Sequence, residues 1–396
     1  MKMWNLRGAA GQVFFMLFLS LLLLVGCQSG PDVDKLKAEA VETYANMVFA
    51  SYEDSYNTAV TLQEKLEAFV ANPSEETMAA AKEAWLASRE PYGQTEAYRF
   101  YGGPIDDEDG PEGLLNAWPL DEAYIDYVEG NETAGIVNDV DNYPTIDQAL
   151  LESLNEQGAE ENISVGYHAI EFLLWGQDAG PDSAGVRPYT DYVVGGTAAN
   201  QERRGQYLLM TGELLVQHLG EMKEAWDPNQ SGNYRAEFVA LEADDAIQKM
   251  MTGIGVLTKS ELAGERIFTA YDNQDQEDEH SCFSDNTHRD IITNAEGIRN
   301  VYMGQYTRTD GSKVEGTSLA DVLEALDADL NQQMVGLLDS SLKAANAIHT
   351  PFDQAIVLAD HRPGVLDTVN ALQDLGDKIA EAATALGISV NTALPQ

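Results

Sequence analysis

Apolar residues recur at steps of three and four along most of this chain. Val41, Tyr44, Val48, Tyr52, Ala59, Leu62 and Leu66 fall on one face of a first long helix. Asn72, Pro73 and Ser74 end it, and Ser74 followed by Glu75 and Glu76 opens a second helix through Trp85. Pro91 should interrupt that helix, because proline lacks the N–H and clashes with the carbonyl four residues back. The stretch 94–101 would then resume the turn after a kink. Residues 102–116 are rich in Gly, Pro and Asp and read as a long loop of the kind that carries function. Short helices are expected at 121–127 and 146–154, followed by a helix carrying His168. A second irregular loop spans 176–188, and Tyr207, Met210, Leu214, Leu215, His218 and Met222 mark another long helix.

Asp227-Pro228-Asn229-Gln230-Ser231-Gly232 is the strongest boundary signal in the chain. Beyond it, helical patterns cover 234–256, 265–271 and 287–303, around an acidic loop at 272–284. One amphipathic stripe then runs from Leu319 to Leu338, and a last one from Val365 to Leu386. No region reads as a sheet, so the expected fold is all-α. About 370 residues beyond the leader exceed what one core usually serves. We therefore expect two helical bundles side by side, at 33–226 and 233–390, with the two loops meeting in a shared cleft. The halves also suggest a weak duplication: a helix with Glu and Arg (Glu96 and Arg99; Glu265 and Arg266), an acidic loop, then a helix with a histidine (His168; His288).

The amino terminus departs from this pattern. Lys2 and Arg7 precede an apolar run from Val13 to Val25, too short to span a membrane comfortably and typical of a secretory signal at 1–26. Leu24-Val25-Gly26-Cys27 resembles a bacterial lipobox, in which Cys27 would be lipidated and would begin the mature chain, with 27–32 as a tether. Gln28 is not the aspartate that retains lipoproteins at the inner membrane, so attachment to the outer membrane, facing the periplasm, is expected. The formal charge is −43, and the leader carries bases and no acids. Nucleic acid is excluded as a partner. The charge also disfavours anionic lipid and suits cations or cationic ligands, although a solubility surface suited to a salty habitat is the preferred explanation. With Cys27 acylated, Cys282 has no disulfide partner and is either a buried thiol or a ligand.

Candidate chemistry centres on Gly166-Tyr167-His168-Ala169-Ile170-Glu171. His168 and Glu171 lie three residues apart, so an imidazole and a carboxylate could reach one cation beside the apolar wall Phe172, Leu173, Leu174 and Trp175. Two ligands are too few, and the zinc-hydrolase pattern of two histidines one turn apart around a general base is absent. Glu96 is the first candidate for a further donor, held by Arg99, or else it is an ordinary ion pair. Asp106 and its neighbours Asp107, Glu108 and Asp109 are either donors or a solvated turn. Asp121 should cap the following helix. His280, Cys282, Asp285 and His288 could form a second metal site, or Asp285 could cap the helix bearing His288. His218, His349 and His361 read as structural.

Several of these segments together resemble the imelysin-like family (peptidase family M75), in particular its iron-regulated protein A branch. They are Gly166, His168 and Glu171; Tyr98-Arg99-Phe100 through Asp106; Asn116-Ala117-Trp118-Pro119-Leu120-Asp121; and 280–288. The resemblance implies two helical bundles, export to the bacterial envelope, a role in iron acquisition and a site near His168 and Glu171. The family carries two functional labels, metallopeptidase and metal or iron binding. With two ligands and no identifiable base, binding is preferred: iron, or a small iron-bearing ligand, with His168, Glu171 and Glu96 at the centre and Arg99, Asp106, Asp121, Glu265, His280, Cys282, Asp285 and His288 as further cleft residues. Envelope iron-uptake proteins are the expected partners of that reading; its rivals are a zinc-dependent endopeptidase, in which His168 and Glu171 hold the metal and a loop carboxylate such as Asp106 activates water, and a surface interaction protein whose cleft binds a partner and no metal.

Overall fold

A computed structural model describes residues 32–394; the signal segment, Cys27 and all but the last residue of the tether lie outside the described residues. The fold is all-α, as the periodicity implies. The first helix, Val33–Ala71, is capped by Asp32 and turns back at Asn72 into Glu75–Thr95. That second helix opens with a reciprocal cap in which Ser74 and Thr77 each bond the other's backbone. Gln201–Ala225 lies along the first helix in the opposite direction, since Gly205 sits against Val70, Gly212 against Gln63 and Gly220 against Tyr56.

The first helix also touches Ala243–Val256 and Leu319–Leu326, beyond the 227–232 boundary. Buried residues from both halves form one continuous cluster. Thr287–Met303 packs on Glu75–Thr95 at very close range, because both surfaces are cut back to glycine. A Cβ at Gly93 would lie 2.0 Å from Thr293 Oγ1, and one at Gly297 would lie 2.4 Å from the Gln94 carbonyl.

Four local expectations fail. Glu75–Thr95 runs through Pro91 unbroken and tightens to a 3-10 turn only at Glu96–Tyr98. Packing of Trp85 and Tyr92 on either side outweighs the one lost backbone bond. The helices expected at 234–256 and 265–271 are arranged differently: Tyr234–Phe238 is a short turn, and Ala243–Val256 continues without a break through a wide π-helical stretch, Leu257–Phe268, into Thr269–Asn273. The stripe from Leu319 to Leu338 is two helices, Leu319–Leu326 and Ala328–Ala345, divided at Asp327, whose side chain caps the second. Finally, a small antiparallel hairpin pairs Gln305–Thr307 with Lys313–Glu315. Tyr306 and Arg308 fasten it to Asp54 of the first helix.

Candidate metal centre

Gly166 begins the helix Gly166–Trp175 at φ +87°, and a Cβ there would lie 2.7 Å from the Leu115 carbonyl. Only glycine suits that close approach. Every residue of this helix is buried. The apolar wall after His168 is therefore core, and His168 and Glu171 are carried inside it.

Within that helix Glu171 stands behind the His168 ring. Its Oε2 lies 2.9 Å from His168 Nδ1, while its Oε1 accepts from the Ser284 amide at 2.9 Å and from the Ser284 hydroxyl at 2.6 Å. Both oxygens are thus engaged, and Glu171 orients the imidazole rather than standing beside it as a second free donor. His168 Nε2 is buried and has no partner. A ring held at Nδ1 by a carboxylate with its other nitrogen free is the usual arrangement of a metal-binding histidine.

The ring facing His168 is that of His280, 4.7 Å away between centroids at 73°. Its tautomer follows from a chain of bonds. Arg89 Nη1 donates to Asn116 Oδ1 at 2.6 Å, which leaves the Asn116 amide group as donor toward His280 Nε2 at 3.4 Å. Nε2 must then accept, and Nδ1–H donates to Asp290 Oδ2 at 2.8 Å. Asp290 also accepts from the Ser281 hydroxyl and is paired with Arg89 at 3.1 Å. Burial alone would raise the Asp290 carboxyl, but Arg89 and His280 hold it far below its usual range. Burial, with Arg89 nearby, drives His168 down to about 3; burial, with Arg266 nearby, does the same to His280. Both rings are neutral at physiological pH, the state a metal requires.

Glu96 borders this pair from the 3-10 turn. It accepts from Arg266 at 2.6 Å and Arg99 at 2.8 Å through Oε2, while Oε1 meets only the Asn116 amide at 3.5 Å. Burial opposes its ionisation, yet the two guanidiniums outweigh burial and hold it at about 2. Arg266 belongs to the π-helical stretch, where the five-residue register aligns it with Glu261 at 2.9 Å. A four-residue reading of the same segment singles out Glu265, which is exposed. The suspected Glu-and-Arg repeats therefore meet physically, with Arg266 of one gripping Glu96 of the other. A hollow of about 140 Å³ reaches this cluster past Arg99, Trp118, Arg266 and His280. A larger hollow, about 550 Å³ beside Lys37 and Asp244, is lined by none of these residues.

The remaining sequence candidates lie elsewhere. Asp106 closes its own loop by accepting from the Phe100 and Gly103 amides, and Asp107, Glu108 and Asp109 are exposed. Asp121 caps its helix through the Ala123 amide at 2.9 Å and is exposed. The four residues proposed for a second metal site do not converge as one set. His280 turns toward His168, and His288 bonds the Asp285 carbonyl at 3.1 Å. Asp285 joins Asp178 and Asp353, and the cap position of the following helix is held by Asn286. Cys282 is a buried thiol whose pKa burial pushes well up, with Glu171 adding to it, so the ligating thiolate is disfavoured. Arg89 and Asp290 escaped the sequence reading. A cation in the apolar stripe Met78, Ala81, Trp85, Tyr92 was the available signal for Arg89.

Fold and site together define an all-α protein, one small hairpin aside, with a buried pair of histidines each held at Nδ1 by an acidic side chain. The chain belongs to the imelysin family, peptidase family M75, whose model matches residues 48–379. Iron-regulated protein A of Synechococcus elongatus is 24% identical over 340 residues, spanning 84% of this chain and 82% of that protein. Two crystal structures share the fold. One, assigned as an iron-regulated protein A precursor from Parabacteroides distasonis, has a TM-score of 0.69 at 20% identity, covering 91% of this chain and 97% of that one. The other, an imelysin-like protein from Psychrobacter arcticum, has a TM-score of 0.64 at 14% identity, covering 90% and 98%.

Proposed function

We propose that this protein binds iron, as the ion or within a small iron-bearing ligand, in bacterial iron acquisition. The observation that carries the reading is the unpartnered, buried Nε2 of His168, with Nδ1 held by Glu171 and His280 opposite. Two neutral imidazoles and the ionised Glu96 would offer nitrogen and oxygen donors suited to iron, with zinc or manganese as competitors, and an ion would have to draw them together, since their ligand atoms are not gathered within 4.8 Å of one another. The weak Asn116–His280 contact is the bond a metal would replace. The name of the Synechococcus relative supports the iron assignment.

The zinc-peptidase reading draws less support from the geometry. Both Glu171 oxygens are engaged, by His168 and by Ser284, and Asp106 is tied to backbone amides. The 140 Å³ hollow is also small against the roughly 300–1,000 Å³ of ordinary ligand sites. Metal analysis of the untagged mature chain, with hydrolysis assayed in parallel, tests both readings. We expect bound iron to fall at least about tenfold in His168→Ala and His280→Ala, the loss usual for a removed ligand or its support. Binding unchanged in both variants would sink the assignment and favour a metal-free interaction protein. Metal-dependent proteolysis abolished in both would establish the peptidase.

The leader and lipobox support export and a lipid anchor at Cys27, on the outer membrane facing the periplasm and within reach of envelope iron-uptake partners. No described helix is long and apolar enough to cross a membrane. Fatty-acid labelling lost in Cys27→Ala is the expected result.

A further inference from the structure

Three distant segments bring a second group of acids together. Asp178 comes from the 176–188 loop, Asp285 from the turn before Thr287–Met303, and Asp353 from the short helix Phe352–Val357. One carboxylate oxygen of each lies within 4.8 Å of the other two. Glu279, whose ionisation is opposed first by burial and then by the charges of Asp353 and Asp285, adjoins them. Glu279 is 0% exposed and Asp353 1%; no donor makes a well-formed hydrogen bond to any of their four oxygens, the two carboxyl groups face one another, and Thr287 lies beside Glu279. Asp178 Oδ2 and Asp285 Oδ1 are buried and unpartnered as well.

Unsatisfied buried carboxylate oxygens at this density are foreign to folded proteins unless something binds them. A water network would leave the mutual repulsion in place, whereas a cation removes both faults at once. Burial together with this crowding pushes Asp353 up to about 7 and Asp285 up to about 6, as expected of acids lacking a counter-charge. Asp178 is already steered, since its Oδ1 accepts from the Gly180 amide and Oδ2 is left toward the cluster.

We propose that Asp178, Glu279, Asp285 and Asp353 bind one hard divalent cation, calcium, at a site separate from the histidine pair. The donor set is all oxygen, with no imidazole or thiolate, which selects against zinc and ferrous iron. Calcium takes six to eight oxygens in flexible geometry and accepts bidentate carboxylates, whereas magnesium demands an octahedron and keeps its waters. The site also has a structural consequence. Glu279 immediately precedes His280, and Asp285 immediately follows Ser284, which holds Glu171. Calcium thus pins both ends of the segment that presents His280 and Ser284.

The test uses the full mature chain, stripped with chelator, titrated with calcium chloride by calorimetry and by melting, with magnesium chloride as control. We expect one calcium per chain, saturating by about 1 mM, the weak end for extracellular modules. The melting temperature should rise with calcium and not with equal magnesium. Asp353→Asn should weaken calcium binding more than tenfold, and the half-buried Asp285→Asn provides a second variant should Asp353→Asn fold poorly. His168→Ala should keep calcium binding, which separates this proposal from the iron reading. No calcium binding by the wild type, or affinity unchanged in Asp285→Asn, overturns it. A wild type blind to calcium that Asp353→Asn stabilises would instead indicate protonated acids packed without a cation.

Discussion

Replacing Asp126 by asparagine tests the electrostatic reasoning away from either metal site. Asp126 is fully buried and forked by Arg204, Nε to Oδ2 at 2.6 Å and Nη2 to Oδ1 at 2.9 Å, while Arg187 reaches Oδ2 at 2.8 Å. Neither guanidinium can shed its proton, so a neutral amide in place of the carboxylate would leave two buried cations short of an anion. Arg187 keeps only Asp191, at 3.5 Å. Breaking a buried pair costs about 3–5 kcal/mol, so a loss of about 4 kcal/mol at pH 7 is expected. Arg187 also donates its amide to the Trp175 carbonyl and packs on Phe172, so the end of the His168 helix should loosen with it. The pH dependence fixes the sign. Burial opposes Asp126 ionisation, but Arg187 and Arg204 win and depress its pKa below the ordinary 3.8. Its contribution is therefore fully present above about pH 4 and is lost as pH falls through the depressed folded value. Urea denaturation of both proteins, followed by circular dichroism from pH 7 downward, should give a constant difference to about pH 4.5 that narrows only below it. A difference under about 1 kcal/mol at pH 7, or one that narrows between pH 7 and 5, would refute the argument.

Gly166→Ala should lose about 2–4 kcal/mol, from its positive φ and the Leu115 carbonyl in the path of a Cβ; an unchanged urea midpoint would remove glycine's steric role. Ser74→Ala should cost about 1 kcal/mol through loss of the reciprocal cap and leave metal binding intact, as thermal melts and metal analysis would check. Arg266→Met strands Glu96 with Arg99 alone and should destabilise by about 3 kcal/mol, whereas Glu265→Ala, at an exposed position, should fall within about 0.5 kcal/mol of wild type.

The sequence by itself determined the features that depend on neighbours within a few turns. Helical spacing in 33–71, 201–225 and 362–385, the caps at Ser74 and Asp121, and the burial of His168 against Phe172–Trp175 all follow from local side-chain period and local hydrogen bonding. Tertiary structure decided what meets across hundreds of residues. Arg89 reaches Asp290 because glycine-thinned faces at Gly93 and Gly297 let their two helices approach closely; His168 faces His280 and not His288, and Asp353 joins Asp178, through the packing of further helices and loops. It also reversed local signals: Pro91 stays inside a helix, and a π-helical register turns Arg266 inward while Glu265 faces water. Periodicity records which face of a helix is buried. The partner of each buried charge depends on packing that no local pattern encodes, so the donors of a buried site become visible only once the helices are assembled.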